Sequence, residues 1–188
     1  MVQDIITQYI DSHRGAMTSL LEKMVNTDSG SYTKDGVSKV AGFISDILLP
    51  LGFDVQMLPS SKYAPHLLAR RKGSGSKKLM FLGHMDTVFD EGTAKRRPFY
   101  IEGNKAYGPG VCDMQAGIVC LLYALMALEA AGYTGYGELK ILFNSDEERG
   151  SETSEQYIIE ECSKRIAVYE EFAPKMLNED EIKTCFIE

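Results

Sequence analysis

The sequence is 188 residues long, and what it lacks narrows the field first. Uninterrupted apolar runs of about 18 residues are lacking, so no bilayer span is expected. The opening "MVQDIITQYIDSHRG" is mixed polar and acidic, without the apolar stretch of a secretory leader. The four cysteines (Cys112, Cys120, Cys162, Cys185) stand far apart with no C-x-x-C pair. That reads as free thiols in a reducing, cytoplasmic setting rather than a disulfide framework or a structural zinc site. Positive charge is in deficit, with a net charge of −7, so neither nucleic acid nor an anionic membrane is an expected partner. Lys95, Arg96 and Arg97 are too short a cluster to reverse this. A G-x-S-x-G elbow and a Walker loop are both missing. Histidine is scarce: His13, His66 and His84, and none after residue 84.

What is present is ordinary globular composition, 44% hydrophobic and 25% charged, in a length that suits one domain with a proper core. Residues 3–26 carry apolar side chains at helical spacing, with a break expected near Gly15. Residues 37–52 repeat the pattern and stop at Pro50 and Gly52. "FDVQML" (53–58) alternates as a strand that "HLLARRK" (66–72) can pair with. "LMFLG" (79–83) is apolar on both faces, as expected of a central strand covered by helices, and "GELKILFN" (137–144) reads as another central strand. Residues 90–107 form a loop or short hairpin. Residues 116–132 predict a deeply buried helix ending on Gly132, and 151–166 an amphipathic helix with an acidic first turn. Strands alternating with helices predict an α/β three-layer sandwich on a largely parallel mixed sheet.

In such a sheet, ligands bind beyond the carboxyl ends of the strands. Two predicted central strands end in candidate metal ligands: His84 after "LMFLG", and Glu147 and Glu148 after "LKILFN". Asp113 falls just before the buried helix, near its N-cap, after the glycine-rich "GPG" (108–110) that lets backbone press close to a site. One histidine and several carboxylates are a donor set that zinc accepts. His84 and Asp86 lie two apart in extended chain, so the Asp86 carboxylate can take the spare ring N–H and leave the other nitrogen for a metal. Blander readings exist for each. An H-x-D triplet is common by chance, Asp113 alone suits a helix cap, and "SDEE" (145–148) suits a solvated patch. Adjacent carboxylates can also divide the labour, one binding a metal and the other serving as base toward its water.

Taken together, His84-Met85-Asp86-Thr87-Val88, "GPGVCDMQAG" (108–117) and Asp146-Glu147-Glu148-Arg149-Gly150-Ser151 resemble the zinc exopeptidase family. That family includes glutamate carboxypeptidase, acetylornithine deacetylase, succinyl-diaminopimelate desuccinylase and aminoacylase. The resemblance is nearest to the glutamate carboxypeptidase branch and covers about residues 10–166, with Gln115 where lysine is common. It implies a phosphorylase/hydrolase-like catalytic domain with a pair of Zn2+ ions. His84 and Glu148 would each bind one ion and Asp113 would bridge them, with Glu147 as general base and Asp86 orienting His84. The substrate implied is a small peptide or N-acyl amino acid, cleaved at an amide beside a free carboxylate.

The family's late histidine ligand and its lid or dimerisation domain find no counterpart here. Its further carboxylate, in a strand ending F-E-P, meets "YEEFAP" (169–174), where Glu171 serves only after a slip in register. The expectation is therefore an incomplete catalytic domain over 1–168, with a divergent acidic tail over 169–188. Such a chain would hold at most one weakly bound ion and be weakly active or inactive alone. The alternative is a non-catalytic remnant or half-enzyme, whose exposed sheet edge invites a homo-oligomer or a complementing chain.

Overall fold

The computed structural model describes residues 2–162. The described residues fall into two units, divided after Ser154. Of the second unit, residues 155–162 are helical, in keeping with the amphipathic helix expected there. The acidic tail and Glu171 lie outside the described residues.

The first unit opens with two helices, α1 (Val2–Ser12) and α2 (Arg14–Val25). The break comes at His13, not Gly15. The His13 ring stacks on Tyr9 at 3.9 Å between centroids, and its Nδ1 lies 2.7 Å from the Tyr9 carbonyl oxygen. Helix α3 (Lys34–Leu48) buries Val37, Val40, Ala41, Ile44 and Leu48, an i, i+3, i+4, i+7 stripe that gives it one core-facing side. Strands β1 (Asp54–Leu58), β2 (His66–Lys72) and β3 (Lys78–His84) follow. After them come a short helix α4 (Thr93–Arg96) and the hairpin β4 (Tyr100–Glu102) and β5 (Lys105–Tyr107). Helix α5 (Ala116–Ala130) and strand β6 (Glu138–Asn144) complete the unit.

The main sheet runs β1-β2-β6-β3. Pairings β1–β2 and β2–β6 are antiparallel, and β3–β6 is parallel, with His84 opposite Asn144. The expected mixed α/β sheet therefore forms, and its parallel pair is the one that carries the candidate ligands. The odd-numbered residues Leu67 and Ala69 on β2 and Leu139, Ile141 and Phe143 on β6 share one face of the pleat. They join Met24, Val37, Ile44, Ile118 and Leu122 from the helices in a single buried cluster. Each fully buried Ile, Leu or Phe there contributes about 1.5–3 kcal/mol.

Two expectations are corrected. Strand β6 is central, as its near-continuous burial requires, but β3 lies at the sheet edge among the described strands, with Leu79 and Leu82 44% and 48% exposed. An apolar run states that both faces of a strand suit a core; it does not state how many neighbours the strand has. The stretch Val111–Ala130 is also long and apolar enough to cross a membrane, where the sequence predicts no such stretch. In this structure it is broken by non-helical backbone at Asp113 and Met114, and its Ile118, Val119, Leu122 and Leu125 belong to the shared core.

Candidate metal centre

Strand β3 ends on His84, 5% exposed, directly beside the end of β6. Nδ1 of His84 lies 3.0 Å from the Asp86 carbonyl oxygen and 3.4 Å from its carboxylate Oδ1. The sequence reading had the carboxylate as the acceptor; the closer contact is the backbone carbonyl. Either way the ring N–H is held on Nδ1, and Nε2 faces outward. It meets Asp113 Oδ1 at 2.9 Å and Glu147 Oε2 at 3.9 Å. Burial opposes a charge on this ring, but its hydrogen bonds to Asp86 and Asp113 outweigh that and raise its pKa to about 9.

Asp86 is fully buried and turned toward three donors: the Ser31 hydroxyl at 2.7 Å and the backbone N–H groups of Glu147 and Glu148 at 3.2 and 3.3 Å. One carboxylate thus joins the loop after β3, the turn after β6 and the 29–31 segment. That segment pairs with the chain again, Thr87 N–H donating to Ser29 O and Ser31 N–H to Thr87 O.

Asp113 is not a helix cap. Helix α5 starts at Ala116, and Asp113 sits before it in a one-turn π-type loop, with non-helical backbone and a side chain 72% exposed. The glycines ahead of it act as expected. Gly110 has φ of +71°, and a Cβ there would lie 2.5 Å from Thr87 Cγ2, so only glycine lets this loop lie against the His84 loop. Met114 Sδ, in turn, accepts the His84 backbone N–H at 3.1 Å.

Glu147 and Glu148 occupy a 3-10 turn, Glu147–Arg149, after β6. Ligand atoms of His84, Glu147 and Glu148 all lie within 4.8 Å of one another. Burial raises the Glu148 carboxyl above its usual range; His84 pulls the other way, and the charges of Asp113, Glu147 and Asp86 add to the rise. Clustered carboxylates around one imidazole nitrogen oppose one another unless a cation sits among them. The nitrogen and oxygen donors fit zinc. The centre is open: the described cavity of about 470 Å³ lies elsewhere, beside the β4–β5 hairpin, between Arg96, Arg97, Tyr100, Tyr107 and Val111.

The structure therefore brings His84, Asp86, Asp113, Glu147 and Glu148 to one sheet edge. It also shows supports that the sequence did not single out. Ser31, 55 residues from Asp86 in the chain, is one of them. Asp146, fully buried, accepts hydrogen bonds from Thr153 N–H and Oγ1 and from Ser154 N–H and Oγ, pinning the turn behind the two glutamates. His66, also fully buried, accepts the Ser145 N–H at Nδ1, which leaves the proton on Nε2, 3.2 Å from Thr153 Oγ1. It is an element of the scaffold, not a ligand. The signal for both was position: His66 opens the buried half of β2, and Asp146 lies just past the buried end of β6.

Comparison with known proteins bears on the family and the fold. Residues 80–184 match the model of peptidase family M20/M25/M40. Carboxypeptidase G2 of Pseudomonas sp. (strain RS-16) is 35% identical over 161 residues, which is 85% of this chain and 39% of that protein. Acetylornithine deacetylase of Vibrio vulnificus (strain CMCP6) is 31% identical over 147 residues, covering 76% of this chain and 37% of that one. Among solved structures, a di-peptidase from Saccharomyces cerevisiae superposes with a TM-score of 0.69 at 25% identity, over 86% of this chain and 38% of that one. Human carnosine dipeptidase 1 gives a TM-score of 0.72 at 21% identity, over the same shares, a likeness of fold. The chain spans about two fifths of the length of these relatives. On the family match, carried by the segment that holds every candidate ligand, this chain belongs to peptidase family M20/M25/M40.

Proposed function

We propose that this chain forms the nucleophile side of a zinc-dependent amide hydrolase acting on small peptides or N-acyl amino acids beside a free carboxylate. The observation that carries the reading is the convergence of His84 Nε2 with the carboxylates of Asp113, Glu147 and Glu148 beyond the β3 and β6 tips. The names of its relatives, a carboxypeptidase, a desuccinylase and a deacetylase, support the reaction class.

In this reading His84, Asp113 and Glu148 hold the ion. Bound zinc supplies Lewis acidity for the scissile carbonyl and for the attacking water. Asp86 keeps the His84 tautomer with Nε2 outward and holds the Glu147 and Glu148 amides in place. Glu147, half-exposed and in the same turn, takes the proton from the attacking water and passes it to the departing amine nitrogen. Among the described residues no second histidine stands at the site, since His13 stacks on Tyr9 and His66 is held by Ser145 and Thr153. One ion of modest affinity, and weak hydrolysis by the chain alone, are therefore expected.

The test is zinc competition against a chromophoric chelator, run beside hydrolysis of an N-acyl glutamate. Wild type takes up one zinc, His84→Ala does not, and Glu147→Gln keeps the zinc but loses the zinc-dependent rate. Undiminished zinc uptake by His84→Ala, or an undiminished rate in Glu147→Gln, would sink the reading.

A further inference from the structure

Four carboxylates, Asp86, Asp113, Glu147 and Glu148, surround the centre, and a single bound dication leaves that field negative. A substrate that itself carries a carboxylate is repelled by such a surface unless a cation holds it. The same 3-10 turn that presents Glu147 and Glu148 presents Arg149 next. Despite these acidic neighbours, Arg149 makes no ion pair among the described residues. Its guanidinium lies instead over the exposed Tyr32 ring, 4.7 Å from the centroid. Tyr32 directly follows Ser31, whose hydroxyl donates to Asp86, so the ring is fixed to the same scaffold as the metal ligands. Lys62, which also lies near Tyr32, is already paired: it meets Glu152 at 2.6 Å, and Tyr63 donates to the same Glu152 oxygen at 3.0 Å. Lys62 Nζ lies farther from the Tyr32 centroid, at 5.9 Å, than the Arg149 guanidinium does.

From this arrangement we propose that Arg149, backed by Tyr32, is the docking point within this chain for the free carboxylate of the substrate. Stacking on an aromatic face leaves the guanidinium N–H fork open at its edge, and that fork matches a carboxylate bidentately. Its position one residue from Glu148 sets the held carboxylate beside the centre, where the neighbouring amide is to be cleaved. The inference rests on the reading of the centre given above. It names Arg149 as a residue that selects anionic substrates, with no part in the proton transfers.

Calorimetric titration of the zinc-loaded chain with N-acetyl-L-glutamate, and with its uncharged diamide, tests this. Zinc affinity is measured separately on every variant. Wild type should bind the anion in preference to the diamide. Arg149→Gln should lose roughly tenfold or more in anion affinity, with diamide binding and zinc affinity unchanged. Arg149→Lys should recover part of the loss, because a point charge lacks the fork. Tyr32→Leu, which removes the backing ring but keeps the charge, should fall between wild type and Arg149→Gln. A wild type that binds zinc without preferring the anion, or an Arg149→Gln that keeps the preference, overturns the assignment and leaves the metal reading intact. Failure of wild type to bind zinc overturns the metal reading and this one with it.

Discussion

At the scale of single residues, Asp86 shows how one buried group can organise a site without touching the substrate. It is fully buried, and it accepts from Ser31, Glu147 and Glu148 while its backbone carbonyl faces the His84 ring. Replacing it by asparagine keeps the volume but turns one acceptor into a donor facing N–H groups, a buried mismatch costing about 1–3 kcal/mol. Asp86→Asn is therefore expected to lower zinc affinity by about 10–100-fold, the usual consequence of disturbing the partner of a ligating histidine. It should also lower the urea midpoint of the metal-free chain; chelator competition and urea titration read the two effects. The H-x-D spacing made this partnership legible in advance. Ser31 was not, because a hydroxyl 55 residues away in the chain carries no spacing signal.

At the scale of elements, the pattern of apolar residues located most helices and strands but not their neighbours. Among the described strands β6 is central and β3 is an edge although both were expected to be central, because sheet order is decided by long-range pairing rather than by a strand's own sequence. Asp113 looked like a cap because helix α5 was expected to begin beside it. The two glycines and the tight turn push the true start to Ala116 and free the carboxylate to face His84. His66 is a test of how elements are joined, since it ties the start of β2 to the turn after β6 through Ser145 and Thr153. Burial lowers its pKa below the ordinary value, with the charges of Asp146 and Asp86 acting against the shift. The sign follows from proton counting. Below about pH 6.5 the unfolded chain binds a proton at His66 that the folded chain does not, so this residue makes stability fall as pH drops through that range. His84 acts oppositely in the metal-free chain: its raised pKa makes stability fall as pH climbs from about 6.5 toward 9. Comparing wild type with His66→Asn in chelator-containing buffer removes the His84 contribution. The urea midpoint of wild type should drop more between about pH 7.5 and pH 5.5 than that of the variant. Equal drops would show that His66 titrates alike in the folded and the unfolded chain, and so overturn the lowered value.

At the scale of the whole molecule, the core and the site make opposite demands. One buried cluster joins the helices to β2 and β6 and favours the fold. The tips of β3 and β6 then gather ligand atoms of His84, Glu147 and Glu148 within 4.8 Å, on a chain already at net charge −7. Like charges held so close weaken the metal-free fold, and a dication placed among them reverses the sign of that contribution. At free zinc about a hundredfold above its dissociation constant, binding adds about 2.7 kcal/mol to stability. For a chain of this size, that corresponds to a rise of about 5–10 °C in melting temperature. Glu148→Gln separates the two demands. It should melt higher than wild type in chelator, because one repelling charge is gone, and show a much smaller rise on adding zinc, because one ligand is gone. Differential scanning calorimetry with and without zinc reads both. A variant that melts lower than wild type in chelator would mean that Glu148 serves the fold rather than the ion.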